Sequence, residues 1–377
     1  MIELTGITWN HTRGYLPMVA TGQRFSELHP EVSITWQKRS LQKFADAPLA
    51  DLAARFDILV IDHPSMGEAA HEDLLLELDE HLPPAFLEDQ AVNSVGRSHA
   101  SYLYEGHQYA LAIDAATPVA GWRSDLLACA GVELPQTWDD LLALARLGLV
   151  TVPAIPIDSL MNLFMLANAL GSEPFTTAGE VISGHQGVTA LKMLRELVQL
   201  SAPGSLECNP IKTWQLLANS DSVAYCPFAY GYSNYARAGY GPNVIQNGGL
   251  ISFDGKTLRS TLGGAGLAIS RSCPHPEVAL AYAEFVAAVA TQRTLYVESG
   301  GQPGHRGAWK DATVNARTND FFANTLPTLD AAWVRPRWPG FIGFQDVASN
   351  LVHRHLVNGG EESQVLESLN QALRKLG

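Results

Sequence analysis

The 377-residue sequence contains few cysteines and few charged residues. Its four cysteines (Cys129, Cys208, Cys226 and Cys273) are widely scattered, and no pair has the CxxC spacing of a zinc or redox site. We expect buried free thiols, with a single disulfide as the alternative. Charged residues make up 17% of the chain and hydrophobic residues 46%, which is typical of a globular protein and excludes a disordered one.

Long apolar runs are also missing. The longest stretches, Leu141–Val152 and Ala279–Ala290, each contain a charged residue and fall short of the roughly 20 apolar residues that a bilayer requires. Met1 is followed at once by the strand-like pattern of Ile2, Leu4 and Ile7, with no basic segment and apolar core of a signal peptide. We therefore expect either a trimmed leader or a cytoplasmic protein.

The net charge of −13 argues against nucleic acid and anionic lipid as partners, and it favours solubility. Common enzyme signatures are absent as well: the sequence has no GxSxG elbow, no HExxH and no Walker loop. His11 and His63 are candidates for a shared metal, but no third ligand clusters with them in the sequence. We predict no catalytic residue, no bound metal and no cofactor.

Alternating strands and helices open the chain. The residue pattern predicts strands at Glu3–Trp9, Val32–Gln37 and Asp57–Ile61, a helix at Leu16–His29, and a helix or loop at Leu41–Arg55. This order predicts an α/β fold with a mostly parallel sheet. Because the chain exceeds the roughly 250 to 300 residues that one core supports, we expect two domains.

The rest of the chain continues the α/β pattern without an internal repeat or a flexible linker. Thr137 is a predicted N-cap, and the aromatic segment Pro227–Tyr240 is a predicted loop. The predicted strands lie at Tyr109–Ile113, Ala154–Ile157 and Ser222–Cys226, with a glycine-rich and then apolar segment at Ser260–Ser270. The predicted helices lie at Trp138–Leu147, Leu160–Leu170, Val188–Leu200, Val278–Val289 and Glu362–Leu376.

Four segments, taken in order, resemble family 1 of the extracellular solute-binding proteins of bacterial ABC importers, the group that includes maltose-binding protein. They are LTGITWNHTRGY, YALAIDAATPVAGWRSDLL, LGGAGLAISRSCPHPEVALAYAEFV, and ESGGQPGHRGAW followed by RPRWPGFIGFQDV. The resemblance implies a two-lobed type II periplasmic-binding fold, in which each lobe is a mixed, mostly parallel sheet flanked by helices. Lobe one would be residues 1–110 plus 263–309, and lobe two residues 111–262 plus 310–377.

The resemblance also implies a function: a small polar solute is bound in a cleft between the lobes and delivered to an ABC permease complex in the membrane. It implies a monomer in the periplasm, whereas a native start at Met1 would favour the cytoplasm. A carbohydrate is the expected solute. The alternatives are a small carboxylate or heterocyclic solute bound by a receptor or sensor, and a cytosolic enzyme on the same fold.

Three segments follow the three predicted strands, where ligands gather in parallel sheets: Trp9–Tyr15, Lys38–Leu41 and Asp62–Met66. In the first we predict ligand contacts by Trp9, His11 and Arg13, the alternative being a core tryptophan and a solvated arginine. In the other two we predict contacts by Ser40, Asp62 and His63, with helix capping as the alternative for Asp62.

Further candidates lie beyond the third strand. Asp114 and Thr117 lie at the expected hinge between the two lobes, and we predict that both contact the ligand. The alternative for Asp114 is that it only ties the crossing strand through backbone hydrogen bonds. Asp158 is interpreted as an N-cap. The predicted ligand-binding residues of the remaining segments are Tyr225, Phe228, Tyr230, Gly264 and Gln302. The three aromatic side chains suit sugar or heteroaromatic rings, and Gly264 suits a close approach of the backbone at a crossing.

Overall fold

The structure is a computed structural model that describes residues 1–41, 44 and 48–375. The chain forms two compact units. The first unit comprises residues 1–116, 262–318 and 334–342, and the second comprises residues 117–261, 319–333 and 343–377. These units place residues 111–116, 262, 310–318 and 334–342 with the first unit, whereas the expected lobe boundaries assign them to lobe two.

The described residues contain the following strands of two residues or more and α-helices of four residues or more. The strands are β1 (Ile2–Trp9), β2 (Val32–Arg39), β3 (Ile58–Ile61), β4 (Leu103–Tyr104), β5 (His107–Gln108), β6 (Leu111–Ala116), β7 (Pro118–Trp122), β8 (Tyr225–Tyr230), β9 (Gln246–Gly248), β10 (Ser252–Phe253), β11 (Lys256–Thr257) and β12 (Gly263–Ile269). The helices are α1 (Thr12–Leu28), α2 (Leu49–Ala53), α3 (Met66–His71), α4 (Pro84–Val92), α5 (Ser98–Ser101), α6 (Ser124–Ala130), α7 (Trp138–Arg146), α8 (Pro156–Ala169), α9 (Gly184–Leu200), α10 (Pro210–Asn219), α11 (Pro276–Ala287), α12 (Arg306–Trp309), α13 (Ala312–Arg317), α14 (Phe321–Asp330), α15 (Phe341–Asn358) and α16 (Glu362–Arg374).

The first unit is built on a five-stranded mixed sheet in the order β2-β1-β3-β12-β6. The first three strands are parallel, which confirms the opening α/β pattern, and β12 is antiparallel to both of its neighbours. The predicted segment Leu41–Arg55 lies partly outside the described residues, and its described part contains α2. Because β1 is parallel to both of its neighbours, β2 and β3, the carboxyl ends of these three strands lie at the same end of the sheet.

Alternating side chains fill the two faces of this sheet. In β3, Ile58 and Val60 pack with the apolar faces of α1 and α11, whereas Leu59 and Ile61 pack on the opposite face with α2 and α3. The two-residue period of a strand produces this division, and fully buried strands need apolar side chains on both faces. The run DILVI therefore forms the centre of the unit.

The second unit departs from the expected mostly parallel sheet. Its described residues form a three-stranded antiparallel sheet in the order β8-β7-β9 and the two-stranded pair β10-β11, and Val150 joins Tyr225 by an isolated parallel bridge. The predicted strand at Ala154–Ile157 is wrong, because Pro156 occupies the first turn of α8, where its fixed φ and missing N–H are tolerated. The predicted cap of α7 is confirmed: Thr137 and Asp140 form a reciprocal capping box.

The loop predicted at Pro227–Tyr240 is also wrong at its start. Residues up to Tyr230 belong to β8, which lies at the edge of the three-stranded sheet and pairs there with β7. The register shifts between Val119 and Gly121 of β7, opposite the part of β8 that contains Pro227. An edge position at an irregularity tolerates a residue that has no N–H to donate. The aromatic side chains of Phe228 and Tyr230 are thus held on a strand.

Other observations concern the chain as a whole. None of the four cysteines, all of which lie in the described ranges, is paired, which confirms the prediction of free thiols. The prediction that they are all buried is wrong, because Cys129 is exposed and Cys208 is half-buried. Within the described part of the chain, no helix combines the length and the apolar character needed to cross a membrane.

Gly264, at the start of β12, permits a close approach to β6. Its φ of +108° is strained for residues that carry a side chain, and a Cβ built there would lie 2.4 Å from the carbonyl oxygen of Asp114. The register between β12 and β6 shifts just beyond it, between Ala265 and Gly266. The backbone on both sides of Asp114 therefore depends on this glycine.

We expect Gly264→Ala to destabilise the protein more than Gly255→Ala. Gly255 also has a positive φ, +72°, but a Cβ there meets nothing within 4 Å. Gly255→Ala, the control, should therefore lower the free energy of unfolding only by the backbone strain, about 1–2 kcal/mol. Gly264→Ala adds a clash with backbone atoms to that strain. Urea unfolding measures both; equal losses of stability would contradict the proposed close approach.

Candidate functional site

The carboxyl ends of β1, β2 and β3 gather the candidate residues of the first unit. Trp9 at the end of β1 is the register partner of Arg39 at the end of β2, and the backbone N–H of Asn10 donates to the Arg39 carbonyl at 2.7 Å. Asp62 follows the last residue of β3. The three predicted segments therefore begin at one edge of the sheet, as the parallel pairing requires.

His11 starts helix α1. Its Nδ1 accepts a hydrogen bond from the backbone N–H of Arg13 at 3.0 Å, and this fixes the ring at the N-cap. Burial, together with the neighbouring Arg13 guanidinium, lowers the pKa of His11 to about 3. The imidazole is therefore neutral at pH 7, and because Nδ1 accepts from Arg13, its proton lies on Nε2, which is a donor.

Trp9 is packed among its neighbours rather than lying open. Its side chain is buried, and a Cβ on Gly14 would lie 2.3 Å from the indole, so this glycine is needed for α1 to approach the ring. The Phe44 ring lies 5.2 Å from the indole, and Arg13 Cζ lies 5.8 Å from it. The indole Nε1 is buried and has no hydrogen-bond partner among the described residues.

Arg13 and Asp114 form a buried ion pair. Arg13 Nε donates to Asp114 Oδ2 at 2.9 Å and Nη2 donates to Oδ1, so the guanidinium and the carboxylate meet through two parallel bonds. Burial raises the pKa of Asp114, and the guanidinium of Arg13 opposes that rise. The solvated Arg13 that was the alternative interpretation is therefore wrong, since its side chain is 4% exposed.

Asp62 and His63 form a second polar group, together with Arg335. Asp62 Oδ1 accepts the His63 backbone N–H at 2.8 Å, and Arg335 Nη2 donates to Asp62 Oδ2 at 2.5 Å. Burial raises the pKa of Asp62, but Arg335 and His63 outweigh it and the net shift is downward. Asp62 therefore caps the following helical turn with Oδ1, as the alternative interpretation expected, while Oδ2 pairs with Arg335. The pairing with Arg335 was not predicted from the sequence.

The His63 ring is fully buried, with its Nδ1 3.1 Å from Asp62 Oδ1. Burial, with the nearby charge of Arg335, lowers the pKa of His63 to about 4, against the opposite influence of Asp62. The ring is neutral at pH 7, as His11 is. No cluster of three or more His, Cys, Asp or Glu side chains suited to a metal ion occurs in residues 1–41, 44 and 48–375.

Gln302 and Gly264 lie on either side of the β6 backbone. Gln302 Nε2 donates to the Ala115 carbonyl at 2.8 Å, and the Ala115 N–H donates to the Gln302 carbonyl at 3.0 Å. The two residues support the strand that carries Asp114. Their predicted ligand contacts remain predictions, as do those of the other candidate residues.

In the second unit, Thr117 and Tyr230 are tied to the segment Ser260–Thr261. Thr117 Oγ1 bonds to Ser260 Oγ and donates to the Thr261 carbonyl at 2.9 Å. The Tyr230 hydroxyl lies 3.0 Å from Thr261 Oγ1, and its side chain is half-buried. These contacts hold the end of β8 beside the first residue of the unit.

The other two aromatic candidates, Tyr225 and Phe228, are almost completely buried in the second unit. Burial, together with the neighbouring Cys226, raises the pKa of Tyr225 beyond its usual range. Tyr230 is the most accessible of the three aromatic candidates. Ser40, in the first unit, is exposed directly after β2.

The interpretation of Asp158 as an N-cap is wrong. Ile155 occupies the N-cap of α8, and Asp158 is the third residue of the helix. Its side chain is buried, and in the described part of the chain its Oδ2 has no hydrogen-bond partner. Burial raises the pKa of Asp158 to about 8, so the carboxyl group holds a proton at neutral pH.

Arg39 was not selected from the sequence, although it lies in the segment Lys38–Leu41. Its side chain is buried, and Nη2 donates to the Val60 carbonyl at 3.1 Å. Burial lowers the pKa of Arg39 to about 10. The available signal was a basic residue at the end of a parallel strand, which is a common pattern and does not by itself predict burial.

A family model described as bacterial extracellular solute-binding protein matches residues 20–322. The match covers most of the 377 residues, and the chain therefore belongs to this family, which confirms the resemblance seen in the sequence. The family is defined by the binding of solutes outside the cell rather than by a catalysed reaction. None of the curated proteins matches the chain.

Several solved structures share the fold over essentially the whole chain. Maltose-bound MalE3 of T. maritima is 17% identical, with all of both chains covered and a TM-score of 0.86. A ribitol complex of a solute-binding protein of an ABC transporter from Agrobacterium radiobacter K84 is 16% identical, with 100% of this chain and 99% of that chain covered and a TM-score of 0.84.

A third structure, from Thermotoga lettingae TMO, is a solute-binding protein of an ABC transporter bound with alpha-D-tagatose. It is 18% identical, with 99% of this chain and 100% of that chain covered and a TM-score of 0.83. At these identities the similarity establishes the fold, and the predicted type II periplasmic-binding class is confirmed. The protein is a solute-binding protein with this architecture.

We expect loss of either partner of the buried ion pair to cost roughly 3–5 kcal/mol of stability, because the remaining charge stays buried without compensation. Arg13→Met and Asp114→Asn should each show this loss in urea unfolding, and the double variant should lose less than the two losses together. Arg146→Met is the control, since its partner Glu196 lies 3.2 Å away on the surface and such pairs contribute about 0–1 kcal/mol.

Asp158 makes the stability depend on pH in a predictable direction. Its pKa in the folded protein, about 8, is above the value of about 3.9 in an unfolded chain, so the folded state binds more protons between these values. The contribution of Asp158 to stability therefore decreases as pH rises from about 4 to about 8. Asp158→Asn should reduce that decrease and raise the melting temperature at about pH 8, whereas exposed Asp346→Asn should not. Identical pH profiles for wild type and Asp158→Asn would contradict the buried neutral carboxyl.

Proposed function

We propose that the protein binds a sugar or a polyol and releases it chemically unchanged. The observation that carries the proposal is the group of polar and aromatic side chains at the carboxyl edge of β1, β2 and β3 in a chain of the solute-binding family. The solved structures with the same fold support it, since they contain bound maltose, ribitol and alpha-D-tagatose.

The protonation states of the first unit suit hydroxyl groups. Because the pKa values of His11 and His63 are about 3 and about 4, both imidazoles are neutral at pH 7. A neutral imidazole can exchange a hydrogen bond with a hydroxyl group, and His11 would do so as a donor through Nε2, because its Nδ1 already accepts from Arg13. The buried indole Nε1 of Trp9, which has no hydrogen-bond partner among the described residues, can donate to a hydroxyl oxygen. We propose Trp9, His11, Ser40 and His63 as the ligand-binding residues of this unit.

The second unit contributes Tyr230 in this proposal. Its ring is half-buried, and its hydroxyl group is held by Thr261 at 3.0 Å. An aromatic ring that is fixed in this way loses little conformational freedom when a ligand packs on it. Tyr230 is therefore the proposed ligand-binding residue of the second unit, considered by itself.

The proposed biological setting follows from the family. The protein would act in the periplasm as a monomer and would present its bound solute to the permease of an ABC importer. Its net charge of −13 is compatible with a soluble receptor. The solute would leave the protein unaltered, because the energy of binding shifts a conformational equilibrium and breaks no covalent bond.

A thermal-shift screen with sugars and polyols tests this proposal. A ligand at about 100 times its dissociation constant should stabilise the folded state by about 2.7 kcal/mol and raise the melting temperature accordingly. Tyr230→Ala should weaken binding by roughly 2 kcal/mol, as for an aromatic anchor, without unfolding the protein. Tyr240→Ala is the matched control, because this ring packs on Tyr235 at 5.2 Å in the same unit.

Two results would contradict the proposal. If no sugar or polyol raises the melting temperature, the assigned solute class is wrong. Conversion of the solute to another compound during incubation would contradict binding without chemistry. Equal affinity of wild type and Tyr230→Ala would remove Tyr230 from the binding site and leave the solute class standing.

A further inference from the structure

Arg39 is a buried cation with unused hydrogen-bonding capacity. Its side chain is 9% exposed, and its Nη2 donates to the Val60 carbonyl at 3.1 Å. Nε and Nη1 are buried and have no hydrogen-bond partner among residues 1–41, 44 and 48–375. An arginine side chain carries only donors and keeps its charge in proteins, so each of these nitrogens requires an acceptor.

In the part of the chain that the structure describes, the contacts given for the Arg39 guanidinium are with neutral groups. Arg39 Cζ lies 5.2 Å from the Phe44 ring, and the same ring lies 5.2 Å from the indole of Trp9. The bond to Val60 and the contact with Phe44 account for one nitrogen and one face of the guanidinium. They supply no negative charge, and a buried charge without a partner is costly for a protein to retain.

The buried nitrogens of Arg39 and Trp9 that lack partners among the described residues are all hydrogen-bond donors. Besides Nε and Nη1 of Arg39, the buried indole Nε1 of Trp9 has no acceptor within the described residues. The two side chains belong to register partners at the ends of adjacent strands. A group that satisfies both of them must therefore be rich in acceptors and poor in donors.

The charges at this edge of the sheet favour an anion. Asp114 is neutralised by Arg13 and Asp62 by Arg335, while His11 and His63 are neutral. Lys38 and Arg39 then remain as positive charges, with Lys38 Nζ 4.9 Å from the Tyr15 ring. Helix α1, which is described throughout, starts beside Trp9 with no acidic residue in its first turn, so its positive end adds to the field.

We propose that Arg39 and Trp9 form an anion-binding subsite in the first unit, which accepts the carboxylate or phosphate group of an acidic sugar or polyol. This proposal rests on the proposed function, since it specifies which sugars or polyols are preferred. The anionic group supplies acceptors to the unsatisfied nitrogens and a counter-charge to the guanidinium. The hydroxyl groups of the same solute remain for the neutral side chains at this edge.

Titration calorimetry with matched solutes tests the subsite. The pairs are D-mannitol with D-mannonate, D-glucose with D-glucuronate, and D-glucose with D-glucose 6-phosphate, so that each pair shares a carbon framework and the last two distinguish carboxylate from phosphate. We expect at least one acid to bind about tenfold or more tighter than its neutral partner, with an affinity that falls as salt is added. Arg39→Met should bring the affinity for that acid down to the level of the neutral compound.

Two further variants separate specific recognition from general attraction. Lys38→Met removes the adjacent exposed lysine and should change the preference for the acid by less than about threefold, as expected for an exposed and screened charge. Arg39→Lys keeps the charge but loses the planar group, and should recover only part of the preference. If Lys38→Met abolishes the preference as completely as Arg39→Met does, the subsite is not centred on Arg39 and the proposal is wrong.

The stability of ligand-free Arg39→Met is the second readout. Removal of a buried cation for which the described residues supply no counter-charge should leave the melting temperature unchanged or raise it. A marked fall would show that Arg39 serves the folded structure and would overturn the proposal. Equal binding of acids and neutral partners in both proteins would also overturn it while leaving the proposed function intact. If neither series binds to wild type, the proposed function fails together with the subsite.

Discussion

A buried guanidinium and carboxylate, those of Arg13 and Asp114, join parts of the first unit that are 101 residues apart in the chain. Arg13 lies in the first turn of the helix that follows β1, and Asp114 lies on the edge strand β6. The pair therefore fixes the start of α1 relative to the far side of the sheet. Trp9 and His11, which surround this helix start, have defined positions because the pair cannot separate without leaving a buried charge.

Much of the fold could be predicted because it follows from short-range patterns. The run DILVI can only be buried on both faces, and the segment around Thr137 contains a complete cap, so β3 and α7 were recognised correctly. Errors arose where the outcome depended on distant chain. Pro227 lies in a strand because β8 pairs with β7 at the edge of the sheet, and this pairing joins distant parts of the chain. The start of α8 was misplaced because Pro156, and not Asp158, is at the N-terminus of the helix.

The sequence predicted where the candidate site lies better than it predicted what each of its residues does. Strand ends in a parallel sheet gather at one edge, so Trp9, Ser40 and Asp62 were selected from spacing alone. The partners of the charged residues were not visible, because Arg13 pairs with Asp114 and Asp62 pairs with Arg335 across more than a hundred residues. Burial of a cation such as Arg39 is likewise a property of the assembled sheet and of no local sequence pattern.

The position of β12 constrains how the protein is made. This strand lies between β3 and β6, yet β6 ends at Ala116 and β12 begins at Gly263. During synthesis, the ribosome must release the whole of residues 117–261 before the strand that joins β3 to β6 becomes available. Until then both strands present unpaired edges, which are sites for wrong pairing or for chaperone binding. The first unit is therefore expected to complete its sheet late, after the second unit has much of its chain available to fold.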